Sequence, residues 1–211
     1  MHISDLRREY SRAALDETQI ADNPFTQFKN WFQQALDSHI VDANAMVLAT
    51  CGEDAQPSAR VVLLKEFDER GMVFYTHYES RKARNLAANP RAALLFYWKE
   101  LERQVRIEGQ VEKLSAQENE TYFQSRPFES QVSAWASPQS QPVPDRATLE
   151  AAVQAYRKRF QHEPMSCPPF WGGYRLVPHY FEFWQGREHR LHDRIIYQKS
   201  DDTWTIGRLA P

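Results

Sequence analysis

The sequence predicts one mainly β domain with peripheral helices (α+β), its strands closed into a barrel. Two observations carry the prediction. From residue 45 onward, short apolar runs alternate with turn chemistry at the spacing of an antiparallel meander. The helical-period segments precede these runs or interrupt them in groups, instead of alternating with them one for one as in a parallel α/β sheet. A chain of 211 residues can bury a substantial core as a single domain, spanning 1–211.

The elements follow in order. Asn23-Pro24 reads as a helix cap and first-turn proline, and Phe25, Phe28, Phe32 and Leu36 recur at helical spacing beside Trp31, so these side chains are expected in the core. Strands are expected at Met46 to Thr50, Arg60 to Lys65 and Met72 to Thr76, divided by turns at Gly52-Glu53-Asp54 and at 68–71. A short helix from Arg81 to Ala88 ends before Asn89-Pro90, and strands Ala92 to Trp98 and Arg103 to Leu114 come next. Ser115 and Glu118 form a capping box that opens another helix. The proline-rich stretch 137–144 is a loop, and Leu149, Val153, Tyr156 and Phe160 mark a helix after it; residues from about 115 to about 165 thus form a small helical subregion. Gly172-Gly173 suggests a tight turn before a strand from Tyr174 to Gln185, and a last hairpin pairs Arg194 to Lys199 with Thr203 to Leu209, giving about eight strands.

Bulk properties exclude several functions. A formal net charge of -2 supplies no basic field for nucleic acid. No run reaches the roughly 18 apolar residues of a membrane span and the first residues hold no apolar signal core, so a cytoplasmic protein is expected. Cys51 and Cys167 form no metal or redox pattern and read as buried, inert thiols. Nucleotide-loop, zinc-protease and serine-hydrolase motifs are absent.

Chemistry concentrates in five places. In the run from Glu182 to Arg194 an aromatic strand meets a dense group of ionisable side chains. If the chain is extended from Arg190, alternation puts Arg190, His192 and Arg194 on one face, a row that repels itself unless it faces water or an anion. The bland explanation is a solvated strand edge; the flanking Phe181, Phe183, Trp184, Ile195 and Ile196 argue instead for charges lining a site. Ser80 caps a helix whose first turn holds Arg81 and Lys82, cations that oppose the helix dipole unless an anion is bound there. Arg60 and Lys65 close the two ends of an apolar run, and Gln104 shares a face with Arg106 opposite Val105 and Ile107. Tyr122, Arg126 and Ser130 offer donors for a second anion, provided the helix reaches Arg126.

Taken together, these segments resemble the pyridoxine (pyridoxamine) 5'-phosphate oxidase family. Glu182-Phe183-Trp184-Gln185, four intervening residues and Arg190-Leu191-His192-Asp193-Arg194 fit its signature. The likeness continues through 60–65, Phe74-Tyr75-Thr76, Ser80-Arg81-Lys82, 102–105, Ser125-Arg126-Pro127 and Arg208-Leu209-Ala210-Pro211; Arg187 in the spacer and Glu79 beside the cap are departures. The resemblance implies an FMN-binding split β-barrel and a homodimer with FMN at the subunit interface. It implies FMN contacts from Arg60, Val61, Val62, Leu63, Leu64, Lys65, Tyr75, Thr76, Arg81, Lys82, Gln104, Gln139, Ser140, Trp184 and Arg194. Lys65, Tyr122, Arg126 and Ser130 would hold the substrate phosphate; Arg190 and His192, flanking Leu191, would lie over the pyridine ring as the catalytic pair. Arg7 and Tyr10 match a mobile N-terminal segment, about 1–20, that closes on the substrate. The implied activity is oxidation of pyridoxine 5'-phosphate or pyridoxamine 5'-phosphate to pyridoxal 5'-phosphate, with O2 reduced to H2O2. A flavin or pyridoxal-phosphate carrier without turnover, and an oligonucleotide-binding barrel, are the competing readings; the near-neutral charge disfavours the second.

Overall fold

A computed structural model describes residues 10–211. The Arg7 expectation lies outside the described residues. Helix α1 (Pro24–Asp37) starts where the Asn23 carboxamide oxygen accepts from Phe25 N at 2.8 Å. It buries Phe25, Phe28, Trp31 and Ala35. Leu36, expected inside, is exposed, because the buried stripe runs through Phe28, Trp31 and Ala35 and Leu36 falls past its edge.

One antiparallel sheet holds nine strands: β1 (Ala45–Cys51), β2 (Pro57–Leu63), β3 (Glu66–Asp68), β4 (Gly71–His77), β5 (Arg91–Trp98), β6 (Arg103–Lys113), β7 (Trp171–Gln185), β8 (Asp193–Ser200) and β9 (Thr203–Arg208). The order is β2-β1-β5-β6-β7-β4-β3, with β8 and β9 branching from β7. β7 divides the sheet: β6 follows it from Tyr174 to Gln185, whereas β4 pairs only with Trp171 to Leu176 and β8 only with Tyr180 to Gln185. The strands curl into a half-barrel whose ends, β2 and β3, are not paired with each other, so the expected full closure gives way to a split barrel. Phe74, Phe96, Val105, Ile107, Phe181 and Phe183 fill its interior.

Three further expectations change. The strand predicted from Arg60 to Lys65 ends at Leu63, because the chain changes partners there: Leu64 N donates to Asn44 O and Lys65 N to Val73 O on β4. Gly172 and Gly173 are not a turn but the start of β7, opposite Thr76 and Tyr75. A Cβ on Gly172 would stand 2.2 Å from the Tyr78 hydroxyl, so close packing, not chain reversal, requires the glycine. The thiols of Cys51 and Cys167 are half-buried instead of buried; burial, aided by Glu120, pushes the Cys167 thiol up to about 11.

Helix α2 (Arg81–Ala88) has the expected bounds and its Ser80 cap. Helix α3 (Ala116–Ser125) begins at the expected capping box, α4 (Phe128–Ala136) was not foreseen, and α5 (Arg146–Phe160) follows the proline-rich loop. These three cover a second small core of Phe123, Ala134 and Trp171, against which Tyr75, Tyr122 and Trp135 pack.

Candidate active site

Where β4 and the start of β7 meet α3 and α4, a cavity of about 520 Å³ is lined by Lys65, Tyr75, Thr76, Tyr122, Arg126, Ser130, Gln139 and Trp171. These include every described residue expected at the substrate phosphate. Helix α3 stops at Ser125, and Arg126 is its extended C-cap. Tyr122 and Arg126 therefore meet through the bend before Pro127, not along one helix face. The Arg126 guanidinium lies 4.5 Å from the Trp171 ring, and its Nη1 is buried with no hydrogen-bond partner among the described residues. Burial lowers the pKa of this guanidinium below its ordinary value. Tyr122, Tyr75 and Trp171 form an aromatic wall, with centroids 3.8 Å apart for the tyrosines and 5.3 Å for Tyr75 and Trp171.

A cationic cluster adjoins the cavity. Lys82 Nζ donates to Thr76 Oγ1 at 3.1 Å and to Gln139 Oε1 at 3.0 Å. Arg60 Nη1 donates to Leu48 O and Thr50 Oγ1, and its Nη2 to Ser58 Oγ. Burial and then the Arg60 charge push the Lys82 ammonium down to about 8, while burial and Arg81 lower Arg60. Three cations thus converge at the α2 start, with no carboxylate bonded to them among the described residues. Glu79, the unexpected neighbour, accepts through its carbonyl from Arg84 and has its carboxylate 3.5 Å from Gln141 Nε2, so it does not neutralise them. Ser140 is exposed, in a left-handed conformation next to Gln139.

The remaining expected residues lie elsewhere. Gln104 on β6 pairs with Trp184 on β7, which pairs with Arg194 on β8, all on the outer sheet face. Glu182, almost fully buried, binds Arg106 Nη2 at 2.6 Å and Arg194 Nε at 2.8 Å. The His192 ring is 4.6 Å from Trp184, and Tyr10 stands edge-on to both at 5.7 Å. The single basic face expected of Arg190, His192 and Arg194 does not form. Residues 188–190 make a tight turn in which His189 and Arg190 are left-handed, and β8 begins only at Asp193. Arg190 and Leu191 are exposed at this turn. Arg187 binds Asp193 Oδ2 at 3.1 Å, and its backbone N donates to His192 Nδ1. Burial and then the Arg190 charge lower His192, against Asp193.

Eleven positions of β7 separate Gly173, opposite Tyr75, from Trp184, opposite Gln104. At about 3.3 Å per residue that is roughly 35 Å along the strand, so one chain does not bring the expected residues into one site. A second cavity of about 550 Å³, lined among others by Cys51, Arg91, Glu108 and His179, contains none of them. The sequence reading missed Trp171, hidden by taking Gly172-Gly173 as a turn, and Glu182, which alternation with Phe181 and Phe183 could have placed on the sheet face that carries Arg106 and Arg194.

The fold is a split barrel whose candidate site sets cations gathered at a helix start beside an aromatic-walled cavity. The chain belongs to the pyridoxamine 5'-phosphate oxidase family, and the names of its relatives are those of oxidoreductases. The family model described as pyridoxamine 5'-phosphate oxidase matches residues 32–160, and one described as the pyridoxine 5'-phosphate oxidase C-terminal dimerisation region matches 171–211. The pyridoxine/pyridoxamine 5'-phosphate oxidase of Burkholderia lata is 58% identical over 99% of both chains, and that of Acaryochloris marina 55% identical over 99% of this chain and 95% of its own. Among solved structures, PhzG from Burkholderia lata, in complex with tetrahydrophenazine-1-carboxylic acid, superposes with a TM-score of 0.89 at 32% identity, covering 95% of this chain and 100% of its own. A pyridoxamine 5'-phosphate oxidase-related, FMN-binding protein from Nostoc punctiforme shares the fold, with a TM-score of 0.71 at 19% identity over 91% of this chain and 100% of its own. No helix among the described residues is long and apolar enough to cross a membrane.

Proposed function

We propose that the protein, with FMN bound, oxidises pyridoxine 5'-phosphate and pyridoxamine 5'-phosphate to pyridoxal 5'-phosphate and reduces O2 to H2O2. The alcohol consumes one O2 and yields pyridoxal phosphate and H2O2; the amine consumes one water besides and also releases ammonia. The observation that carries this reading is the buried Nη1 of Arg126, without a hydrogen-bond partner among the described residues, on a residue that lines one cavity with Lys65, Tyr122 and Ser130. Two cations and two hydroxyls are the donor set a phosphate ester takes, and more than a single ring carboxylate uses.

The residues at the α2 start fit the FMN phosphate: Arg81 and Lys82 stand beside backbone N–H groups, with Arg60 close by. FMN, when bound, supplies the hydride-accepting chemistry and the route to dioxygen. The chain's own residues bind and orient. Arg126 and its neighbours fix the substrate phosphate, the wall of Tyr122, Tyr75 and Trp171 keeps water from one side, and Arg190 and His192 position the ring and adjust its protonation. Gln104, Trp184, Arg194, Arg190 and His192 come from a second copy of the chain. Two observations support this homodimer: the separation along β7, and the exposure of Val61 (65%), Tyr97 (54%) and Leu63 (39%), three outward-pointing side chains of the sheet.

The test is to purify the protein, record its visible spectrum, add pyridoxine 5'-phosphate in air, and follow H2O2 and pyridoxal 5'-phosphate. Flavin absorbance and stoichiometric products are expected. A colourless protein unable to take up FMN overturns the reading, and bound flavin without turnover leaves only a carrier. Flavin reduction in a single turnover should slow in Arg190→Ala and His192→Ala; unchanged rates at saturating substrate would refute their positioning role.

A further inference from the structure

The segment from Tyr10 to Glu17 belongs to no helix or strand, yet its backbone is held by two carboxylates far away in sequence. Glu102 Oε2 accepts from Ser11 N and from Arg12 N, each at 3.1 Å. Glu102 is itself buried and left-handed, and its carbonyl accepts from Gly186 N at 2.8 Å. Asp193 Oδ2 accepts from Leu15 N at 3.0 Å and from Arg187 Nη1, while Oδ1 accepts from Arg208 Nη1 at 2.8 Å. Arg208 returns to the same segment through Leu15 O and both oxygens of Glu17. Leu15 is buried between these clamps. Carboxylates suit the task because they only accept, so one oxygen can gather two backbone N–H groups that have no secondary-structure partner.

The consequence is the placement of Tyr10. Its ring lies edge-on to Trp184 and His192, and a Cβ on Gly186 would come within 2.8 Å of Tyr10 Cβ and Cγ, so the ring occupies the space that this glycine leaves. Burial disfavours a charged Asp193, but the bonds from Leu15, Arg208 and Arg187 outweigh it and hold the carboxyl below its ordinary range.

We propose that Glu102 and Asp193 are positioning residues that clamp the segment from Tyr10 to Glu17, set the Tyr10 ring against Trp184 and His192, and act on substrate binding through that ring. This rests on the reaction proposed above. The test uses the FMN-loaded full chain as wild type, Glu102→Gln, Asp193→Asn, Tyr10→Ala and the double variants with Tyr10→Ala. Loss of one charge-assisted clamp is expected to raise KM for pyridoxine 5'-phosphate roughly tenfold, more than kcat falls, and to hasten trypsin cleavage after Arg12. In the Tyr10→Ala background, the same substitutions should add nothing to KM. Unchanged KM in the clamp variants, or effects that add in full to that of Tyr10→Ala, would overturn the proposal. If Asp193→Asn fails to fold, Glu102→Gln, which loosens only the first clamp, decides alone. If the wild type does not oxidise pyridoxine 5'-phosphate, the reaction is wrong and the Arg12 cleavage rate judges the clamp: unchanged cleavage in the variants overturns it.

Discussion

Burial and the neighbouring Arg60 guanidinium push the Lys82 ammonium down to about 8, from an ordinary 10.5. Between these values the unfolded chain holds a proton that the folded chain has lost, so this group's contribution to stability rises with pH across that window. Ligand binding follows the opposite course, since an FMN phosphate is attracted by the ammonium and not by the free amine. The affinity of the apoprotein for FMN should therefore weaken as pH rises through about 8, and Lys82→Arg should flatten the profile; flavin-fluorescence titrations across that range check it, and a flat wild-type profile refutes it. At Arg126 the planar guanidinium stands over Trp171 at the cavity wall, and its buried Nη1 has no hydrogen-bond partner among the described residues. A lysine keeps the charge but loses the fork and the stacking, so Arg126→Lys should raise KM for the phosphorylated substrate roughly 10- to 100-fold, with a smaller change in kcat. Lys82 and Arg126 were legible as candidate anion ligands from their neighbours in sequence. Their burial was not, because it depends on packing against residues more than forty positions away.

At the scale of elements, β7 joins both halves of the sheet, and Glu182 ties its far end to β6 and β8 through Arg106 and Arg194. Removing the charge leaves two arginines without their shared acceptor, so Glu182→Gln should lower unfolding stability by roughly 2–3 kcal/mol in urea titrations at neutral pH. Burial disfavours the carboxylate, but the Arg194 bond and the Arg106 charge prevail and the pKa of Glu182 is lowered. Its contribution is thus present above the ordinary carboxyl value of 4.5 and lost as pH falls through the depressed one. The difference between wild type and Glu182→Gln should narrow in acid, and a difference constant down to about pH 2 would contradict this. Caps and alternation made α1, α2, the capping box of α3 and the core strands readable. What misled was Gly172-Gly173, where local turn propensity yields to the tight packing of Tyr78 against β7.

For the whole molecule, the proposed dimer should hold FMN between copies. Val61 is 65% exposed on the outward side of β2, so Val61→Asp should not disturb the monomer fold, but it would bury a charge at the interface. A folded monomer by sedimentation, with FMN affinity at least about tenfold weaker, is expected. A monomer that binds FMN like wild type would show that one chain suffices.

The sequence by itself determined the barrel class, the order of nearly all elements and the residue types at the site, because periodicity, caps and charged runs are local properties of a chain. Only the tertiary structure decided which residues meet. The partner switch after Leu63, the turn at Arg190, the support of Arg126 by Trp171 and the roughly 35 Å between the two ends of β7 all follow from long-range strand pairing and packing. No local pattern encodes those contacts.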